Sequence, residues 1–171
     1  GMHPTVGRFL IRRKVFDAVK NRKPTKVVKE VDQLIAHLCD YDAKNIRLAE
    51  SILATVFLNN QEMKNALAPH LRIFGPSGAN GKTTLEELLR RAFGNYNVVA
   101  TQISDLDNYH FVETTVQSLI AIDGDTSSKA LSSDAAATFK RIVTGDTVRS
   151  RHIYGKMRDV QSMCLLLAFC N

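Results

Sequence analysis

Residues 75–84 read GPSGANGKTT, and this segment constrains the fold of the chain more than any other. The apolar stretch LRIF comes directly before it, and the helical pattern LEELLRRAF follows it. Glycine allows a tight turn between a strand and a helix, in which backbone N–H groups point inward at phosphate oxygens. The positive end of the helix dipole adds to this attraction. The segment therefore predicts a phosphate-binding loop for a nucleoside triphosphate with Mg²⁺.

The loop sequence assigns roles to single residues. In such loops the lysine reaches the β- and γ-phosphates and the next hydroxyl ligates the metal, and these positions are Lys82 and Thr83. The other nucleotide-binding candidates are Gly75, Ser77, Gly78, Ala79, Asn80, Gly81 and Thr84. The leading glycine lies one residue further out than the usual pattern has it, where Pro76 stands. An ordinary glycine-rich turn is the alternative, but the Gly-Lys-Thr-Thr core and its flanks favour the phosphate loop.

Composition excludes several classes of protein. Hydrophobic residues make up 44% of the 171 residues, which supports a packed core and excludes a disordered chain. No stretch reaches the roughly 18 consecutive apolar residues of a membrane span, and no signal-peptide pattern appears at the start. The cysteines, Cys39, Cys164 and Cys170, show no zinc-site spacing and are typical of free thiols in a reducing compartment. We therefore expect a cytoplasmic protein without a membrane partner.

The apolar pattern changes near residue 70. Before it, helical periodicity predicts helices over 8–23, 25–38, 42–58 and 61–69. After it, strands are predicted over 71–74, 97–103, 118–123 and 162–171, helices over 84–93 and 133–143, and a hairpin turning at Gly155-Lys156. We therefore expect an N-terminal helical region over residues 1–70 and an α/β core over residues 71–171.

A triphosphatase also needs an acidic residue at the end of a neighbouring strand, to hold Mg²⁺ and orient water. In SLIAIDGDTSS, Asp123 ends the strand and Asp125 follows two positions later, so both carboxylates can face the same way. Asp123 is the metal candidate beside Thr83, although the sequence does not divide the two roles between the carboxylates. Turn residues are the alternative, which the preceding loop disfavours. Asn171 follows the last apolar strand and would sense the γ-phosphate if that strand neighbours the loop strand.

The net charge of +6 is concentrated in two clusters. Residues 1–30 carry nine Lys and Arg against Asp17 and Glu30, and residues 140–158 carry six against Asp146. Two basic clusters around a nucleotide site predict a polyanionic partner, most simply nucleic acid. Two solvated surfaces are the alternative.

Taken in order, these motifs resemble the ATPase domain of superfamily 3 helicases, specifically the phage, plasmid and poxvirus primase–helicase type. The resemblance runs from the third predicted helix to the C-terminus. It rests on the loop FGPSGANGKTT, the acidic strand end IDGD, the segment FKRIVTGDTVRSRHIYGK and the apolar strand that ends in asparagine. The third feature is the most specific, because general phosphate-loop proteins lack it. Its matching residues are Lys140, Thr144, Gly145, Asp146, Arg151 and Tyr154.

The resemblance implies an AAA+-like P-loop NTPase fold, in which a parallel sheet core follows the small helical region. It also implies a replicative helicase that binds ATP and Mg²⁺ at the subunit interfaces of a ring, usually a hexamer, and translocates on single-stranded DNA. Asp123, Asp125 and Asn171 would be catalytic. The hairpin would face the channel and track phosphates, with His152 or Tyr154 stacking on bases; a packed aromatic is the alternative for Tyr154. The DNA-binding candidates are Lys140, Arg149, Arg151, His152, Tyr154 and Lys156.

The sequence departs from the family pattern in three ways. The phosphate loop is one residue longer, the Thr-Gly-Gly-Asp segment has lost one glycine, and the acidic pair is Asp where Glu is often found. The family's arginine finger and remaining helices come after the sensor asparagine. The resemblance therefore implies a C-terminally truncated motor with little hydrolysis of its own.

Two other functions are compatible with these motifs. A nucleoside or small-molecule kinase has a phosphate loop and a short parallel sheet, but such kinases typically begin with the loop strand, whereas a helical region precedes it here. A nucleotide-gated DNA-binding assembly module is the non-enzymatic alternative.

Overall fold

The computed structural model describes residues 26–57, 60–74, 81–126 and 131–170. The helix predicted over residues 8–23 lies outside the described residues. So do Asn171 and the part of the phosphate loop that precedes Gly81.

Helices and strands alternate after an initial run of helices. In chain order they are α1 Lys26–Leu38, α2 Ala43–Ala54, α3 Gln61–Leu67, β1 His70–Phe74, α4 Lys82–Phe93, β2 Val98–Ala100, α5 Tyr109–Gln117, β3 Ile120–Asp123, α6 Ser133–Thr144, β4 Thr147–Arg151, β5 Met157–Gln161 and β6 Leu165–Cys170. Short 3₁₀ turns cover Thr55–Phe57 and Ile103–Asp105.

Four strands form one parallel sheet in the order β1-β6-β3-β2. Every residue of β6 is buried, as expected for a continuous apolar strand that is covered on both faces. Phe74 of β1 pairs with Cys170 of β6, and Asp123 of β3 pairs with Ala168 of β6, so the three strands end at the same edge. The mixed α/β class with a parallel sheet is confirmed, and the last strand does neighbour the strand before the loop.

Helices cover both faces of this sheet. On one face Leu165, Leu167 and Phe169 of β6 pack with α4 and with side chains of α1 and α2. On the other face Leu166 and Ala168 pack with α5, α6 and β4. Because side chains alternate along a strand, β6 contributes to both cores at once.

Capping residues set several helix ends. The Asp42 carboxylate accepts hydrogen bonds from the backbone N–H groups of Lys44 at 2.9 Å and Asn45 at 2.8 Å, which satisfies two free donors at the start of α2. The helix predicted over residues 42–58 is α-helical only to Ala54 and continues as the 3₁₀ turn.

The segment between β2 and β3 differs from the prediction. Sequence patterns indicated a strand over residues 97–103 and then a polar stretch, whereas β2 is short and α5 follows. α5 is rich in residues that are β-branched, such as Val112 and Val116, and these lower helix propensity. The one helix signal was Asn108, whose side chain caps α5 by accepting from His110 N at 3.0 Å.

The basic segment forms the predicted hairpin. β4 and β5 pair antiparallel in a separate two-stranded sheet, in which Val148 lies opposite Val160. The connection between them covers residues 152–156, which includes the predicted turn position. Val148 is buried in the core with α6, so the hairpin is attached to the sheet through β4.

Candidate nucleotide site and basic hairpin

Gly81 joins the phosphate loop to α4 in a conformation that favours glycine. Its φ is 89°, in the left-handed region. A Cβ atom at this position would lie 2.9 Å from Leu34 Cδ1 of α1, so packing also disfavours a side chain. α4 begins at Lys82, and Thr83 and Thr84 are exposed in its first turn. The described part of this segment therefore places the positive end of a helix dipole together with one amine and two hydroxyls.

Lys82 reaches across the carboxyl edge of the sheet. Its Nζ donates to the backbone oxygen of Cys170 at 3.3 Å. Cys170 is the last residue of β6 and pairs with Phe74, the residue directly before the phosphate loop. The ammonium of Lys82 is thus held at the edge where β1 and β6 end, next to the position from which Asn171 extends.

Asp123 lies at the same edge, on the next strand. It is the last residue of β3 and is buried, with 4% of its surface exposed. Its Oδ2 accepts from the backbone N–H of Ile103 at 3.0 Å, which fixes the carboxylate and uses one of its two oxygens. The 3₁₀ turn after β2 supplies this donor, a contact that sequence reasoning did not find.

Asp125 is placed differently from Asp123. It is exposed, beyond the strand end and the exposed Gly124. The next residue, Thr126, donates its backbone N–H to Phe169 O at 2.9 Å, so the chain passes beside the end of β6. Among the described residues the Thr126 hydroxyl is buried without a hydrogen-bond partner. No sequence signal had marked Thr126 as a site residue.

At this edge a metal ion would need water or phosphate oxygens as ligands in addition to protein side chains. Within the described part of the chain there is no group of three or more His, Cys, Asp or Glu side chains that could hold a metal. Mg²⁺ in phosphate-transfer sites typically takes one or two carboxylates, waters and phosphate oxygens. The donors Thr83 and Asp123 fit this mode of binding and do not fit an all-protein metal cage.

The hairpin carries five of the six predicted DNA-binding residues, and Lys140 lies on α6 instead. Arg149 of β4 lies 3.6 Å from the Asp159 carboxylate, with both side chains largely exposed. Arg151 Nε donates to Gly155 O at 3.0 Å, across the turn. Tyr154 is fully exposed, with a φ of 61°. It therefore does not pack against the hairpin, which excludes the packed-aromatic alternative.

The hairpin is tied to α5 by a buried acid that the sequence did not reveal. Glu113 is 4% exposed and accepts from Arg158 Nε at 3.2 Å, with a second, shorter contact to the same guanidinium. Burial raises the pKa of the Glu113 carboxyl, but its hydrogen bonds and the nearby positive charge outweigh burial and leave the pKa below its usual value. His110 Nδ1 also lies 2.8 Å from Arg151 O. Two contacts therefore fix the hairpin to one helix near its turn, where Arg151 ends β4 and Arg158 is the second residue of β5.

α3 carries a second buried charge, also missed from the sequence. Lys64 is 5% exposed, and its Nζ donates to the backbone oxygens of Ser162 at 2.8 Å and Cys164 at 2.7 Å. Burial lowers the pKa of Lys64 to about 8. One turn earlier, Gln61 Nε2 donates to Gly145 O. A lysine in a short helix gives no sequence signal for burial, because most lysines are exposed.

Comparison with known proteins identifies the family. Residues 73–171, more than half of the chain, match a family described as "Family of unknown function (DUF5906)". The chain belongs to this DUF5906 family. The matched region contains the segment predicted to be a phosphate loop, Asp123, Asp125 and the hairpin. No curated protein matches the chain.

Solved structures of the NrS-1 C-terminal region share the fold of this DUF5906 chain. An apo structure of residues 305–718 has a TM-score of 0.64 and 21% identity over 87% of this chain. An A-form apo structure has a TM-score of 0.63 and 22% identity over 87%, and an A-form apo structure of residues 305–718 has 0.62 and 21% over 82%. This chain spans only 37%, 36% and 32% of those chains respectively, or about a third of their length. At this identity the likeness concerns the fold.

The helices of this DUF5906 chain are short or amphipathic. In the described ranges none is both long enough and apolar enough to cross a membrane.

Proposed function

We propose that this chain is the ATP-binding motor domain of a replicative DNA helicase or primase–helicase of phage, plasmid or mobile-element type. It would couple ATP hydrolysis to movement along single-stranded DNA. One observation carries the proposal: the strand order β1-β6-β3 brings the Lys82 amine and the Asp123 carboxylate to one edge of the sheet. A phosphate loop and an acidic strand end can form one triphosphatase site only if the fold brings them to the same edge of the sheet.

The spacing at this edge suits a Mg-triphosphate. Asp123 pairs with Ala168 of β6, and Ala168 lies two residues before Cys170, whose backbone oxygen binds Lys82. Two residues of a parallel strand span about 7 Å, which leaves space for a hydrated Mg²⁺ and phosphate oxygens between the carboxylate and the ammonium. In the proposed mechanism Lys82 would bind the β- and γ-phosphates, and Thr83 and Asp123 would hold the Mg²⁺, which would neutralise the charge of the phosphates. Asp125 would orient the attacking water.

The end of β6 has a separate role in this mechanism. Asn171 follows Cys170, and its amide would contact the γ-phosphate and distinguish the triphosphate from the diphosphate. The hydroxyls and backbone N–H groups at the start of α4 complete the phosphate cradle. Hydrolysis at a useful rate would require an arginine from a neighbouring subunit, as the resemblance to superfamily 3 helicases implies.

The hairpin supplies the proposed DNA contact. Its tip combines exposed cationic side chains with the fully exposed Tyr154 ring. Non-specific binding of single strands typically uses cations along the backbone and aromatic rings under the bases. A ring of such chains would place several hairpins around one DNA strand, with ATP between subunits.

The first test is nucleotide binding. We expect Lys82→Ala to weaken the binding of a fluorescent ATP analogue with Mg²⁺ by at least about tenfold, because it removes the charge that pairs with the phosphates. Arg91→Ala is the matched control: it removes one positive charge from the exposed far end of the same helix and should leave binding unchanged. Equal binding by both variants would contradict the proposed site.

The second test separates a helicase from a kinase. ATP turnover is measured with and without single-stranded DNA, and then with nucleosides as phosphate acceptors. Stimulation by DNA supports the motor proposal. Phosphate transfer to a nucleoside without any effect of DNA would overturn it.

A further inference from the structure

α3 binds both ends of the hairpin. Gly145 lies two residues before β4, and its oxygen accepts from Gln61. Ser162 lies directly after β5, and its oxygen accepts from Lys64 at 2.8 Å. Gln61 and Lys64 are three residues apart and share one face of α3, so a single turn of helix holds the two points at which the hairpin joins the core.

The fit between α3 and the hairpin base is tight. A Cβ atom at Gly145 would lie 2.5 Å from Gln61 Nε2 and 3.1 Å from Lys64 Cδ. Gly145 also ends α6 with a φ of 73°. The left-handed φ favours glycine at this position, and an added side chain would have to displace the Gln61 amide, so α3 lies close to the start of the hairpin.

The same helix is connected to the proposed nucleotide site. Lys64 also binds Cys164 O at 2.7 Å, directly before β6, whereas Lys82 binds Cys170 O at the end of β6. Lysines therefore contact the backbone at both ends of the strand. α3 leads through Ala68 and Pro69 into β1, which pairs with β6 along its whole length and precedes the proposed phosphate loop. A shift of β1 and β6 on nucleotide binding would be transmitted to α3.

We propose that Lys64 and Gln61 form a clamp that couples nucleotide occupancy to the position of the hairpin, an inference that rests on the proposed function. The clamp consists of positioning residues, since neither side chain lies at the carboxyl edge of the sheet. It holds the hairpin base against β1 and β6, so that the state of the nucleotide site changes the affinity of the hairpin for DNA.

The test measures coupling between two ligands. The affinity of the full chain for a fluorescent oligo-dT strand is determined alone and with a saturating non-hydrolysable ATP analogue and Mg²⁺. In the unaltered chain we expect the nucleotide to change DNA affinity at least about fivefold. In Lys64→Met, which keeps the apolar stem but loses the amine, we expect a change of less than about twofold, with the separate affinities for nucleotide and DNA kept.

Two further variants make the result decisive. Gln61→Met removes the second bond of the clamp without altering Lys64 and should also reduce coupling, which covers the case in which Lys64→Met does not fold. Asn65→Ala changes an exposed side chain of the same helix and should keep full coupling.

The outcomes are distinguishable from one another. Full coupling in a folded clamp variant would overturn the inference, as would an unaltered chain that binds both ligands without coupling. If the unaltered chain binds no nucleotide, the proposed function itself fails and the clamp inference falls with it.

Discussion

At the scale of single residues, two lysines in similar helices have different surroundings. Lys82 is half-buried at a sheet edge, where a bound anion would neutralise its positive charge. Lys64 is buried among backbone oxygens, which accept hydrogen bonds but carry no full negative charge. Burial of an ammonium without a counter-ion favours the neutral amine, and this is the reason that the Lys64 pKa falls to about 8.

This pKa predicts a pH-dependent stability. The ordinary pKa of 10.5 applies to the unfolded chain, which therefore binds more protons than the folded chain between about pH 8 and pH 10.5. The Lys64 contribution to the free energy of unfolding should rise with pH in that window and be at its lowest below pH 8. We expect the stability of the unaltered chain, measured relative to Lys64→Met, to increase by about 2 kcal/mol between pH 7.5 and pH 10.

Urea unfolding of both proteins at the two pH values provides the measurement. The buried Cys164 thiol, whose pKa burial raises, has the opposite effect on stability as the pH rises. It is present in both proteins, so the comparison removes its contribution except for the part that the Lys64 charge causes by lowering the Cys164 pKa. If the stability difference between the two proteins stays constant with pH, the pKa of Lys64 is not lowered in the folded chain.

At the scale of elements, the start of α4 depends on its contact with α1. The phosphate loop enters the helix through Gly81, and Leu34 of α1 fills the space beside that glycine. The hydrophobic side of α4 packs in the same cluster as Leu34 and Leu38. α1 thus packs beside the residue from which α4 begins, although its sequence carries no catalytic pattern.

The glycines of the chain allow this contact to be measured. We expect Gly81→Ala to lower the free energy of unfolding by about 2–4 kcal/mol, because the methyl group meets both a left-handed φ and the Leu34 side chain. Gly94→Ala has the same strain, with a φ of 86°, but no neighbour within 4 Å, and should cost about 1–2 kcal/mol. Gly124→Ala has neither and should change stability by less than about 0.5 kcal/mol.

Thermal or urea unfolding of the three variants ranks their stabilities. If Gly81→Ala is no less stable than Gly94→Ala, the Leu34 side chain of α1 does not restrict the space beside Gly81. Nucleotide affinity measured on the folded Gly81→Ala protein would then report how far the loop itself is displaced.

At the scale of the whole molecule, the charges form a surface that no single element carries. On the hairpin, Glu113 of α5 pairs with Arg158, whereas Arg151 and Lys156 are exposed near the fully exposed Tyr154 ring. This surface therefore combines exposed charges with an exposed aromatic ring. The combination predicts different effects of charge and of the ring on DNA binding.

Salt titration distinguishes the two effects. We expect Arg151→Ala and Lys156→Ala each to reduce the slope of log K against log salt for oligo-dT by about 0.7, because each removes one phosphate contact. Tyr154→Ala should weaken binding by about 1–3 kcal/mol and leave the slope unchanged, since stacking releases no counter-ions. Arg91→Ala, on α4, is the control. If Arg151→Ala and Lys156→Ala have the same slope as the unaltered chain, the DNA binds to another surface.

Much of the fold followed from local pattern. α4, β3, the hairpin and β6 were each predicted near their observed positions, because a turn residue or an apolar run marks each of them. α5 was not predicted, because its β-branched residues weaken the helical signal and its stability comes from packing against β4 and α6. β2 was predicted too long, because the 3₁₀ turn after it is set by a bond to Asp123.

The sequence by itself determined which groups are present: a glycine-rich segment that leads into Lys82, a carboxylate at the end of a buried strand, and a basic hairpin. Only the tertiary structure decided which of them meet. The insertion of β6 between β1 and β3 brings Asp123 and Lys82 to one edge, and it buries Lys64 against the hairpin base. The physical reason is that strand order and the burial of a charge depend on contacts between residues far apart in the chain, and local periodicity carries no information about those contacts.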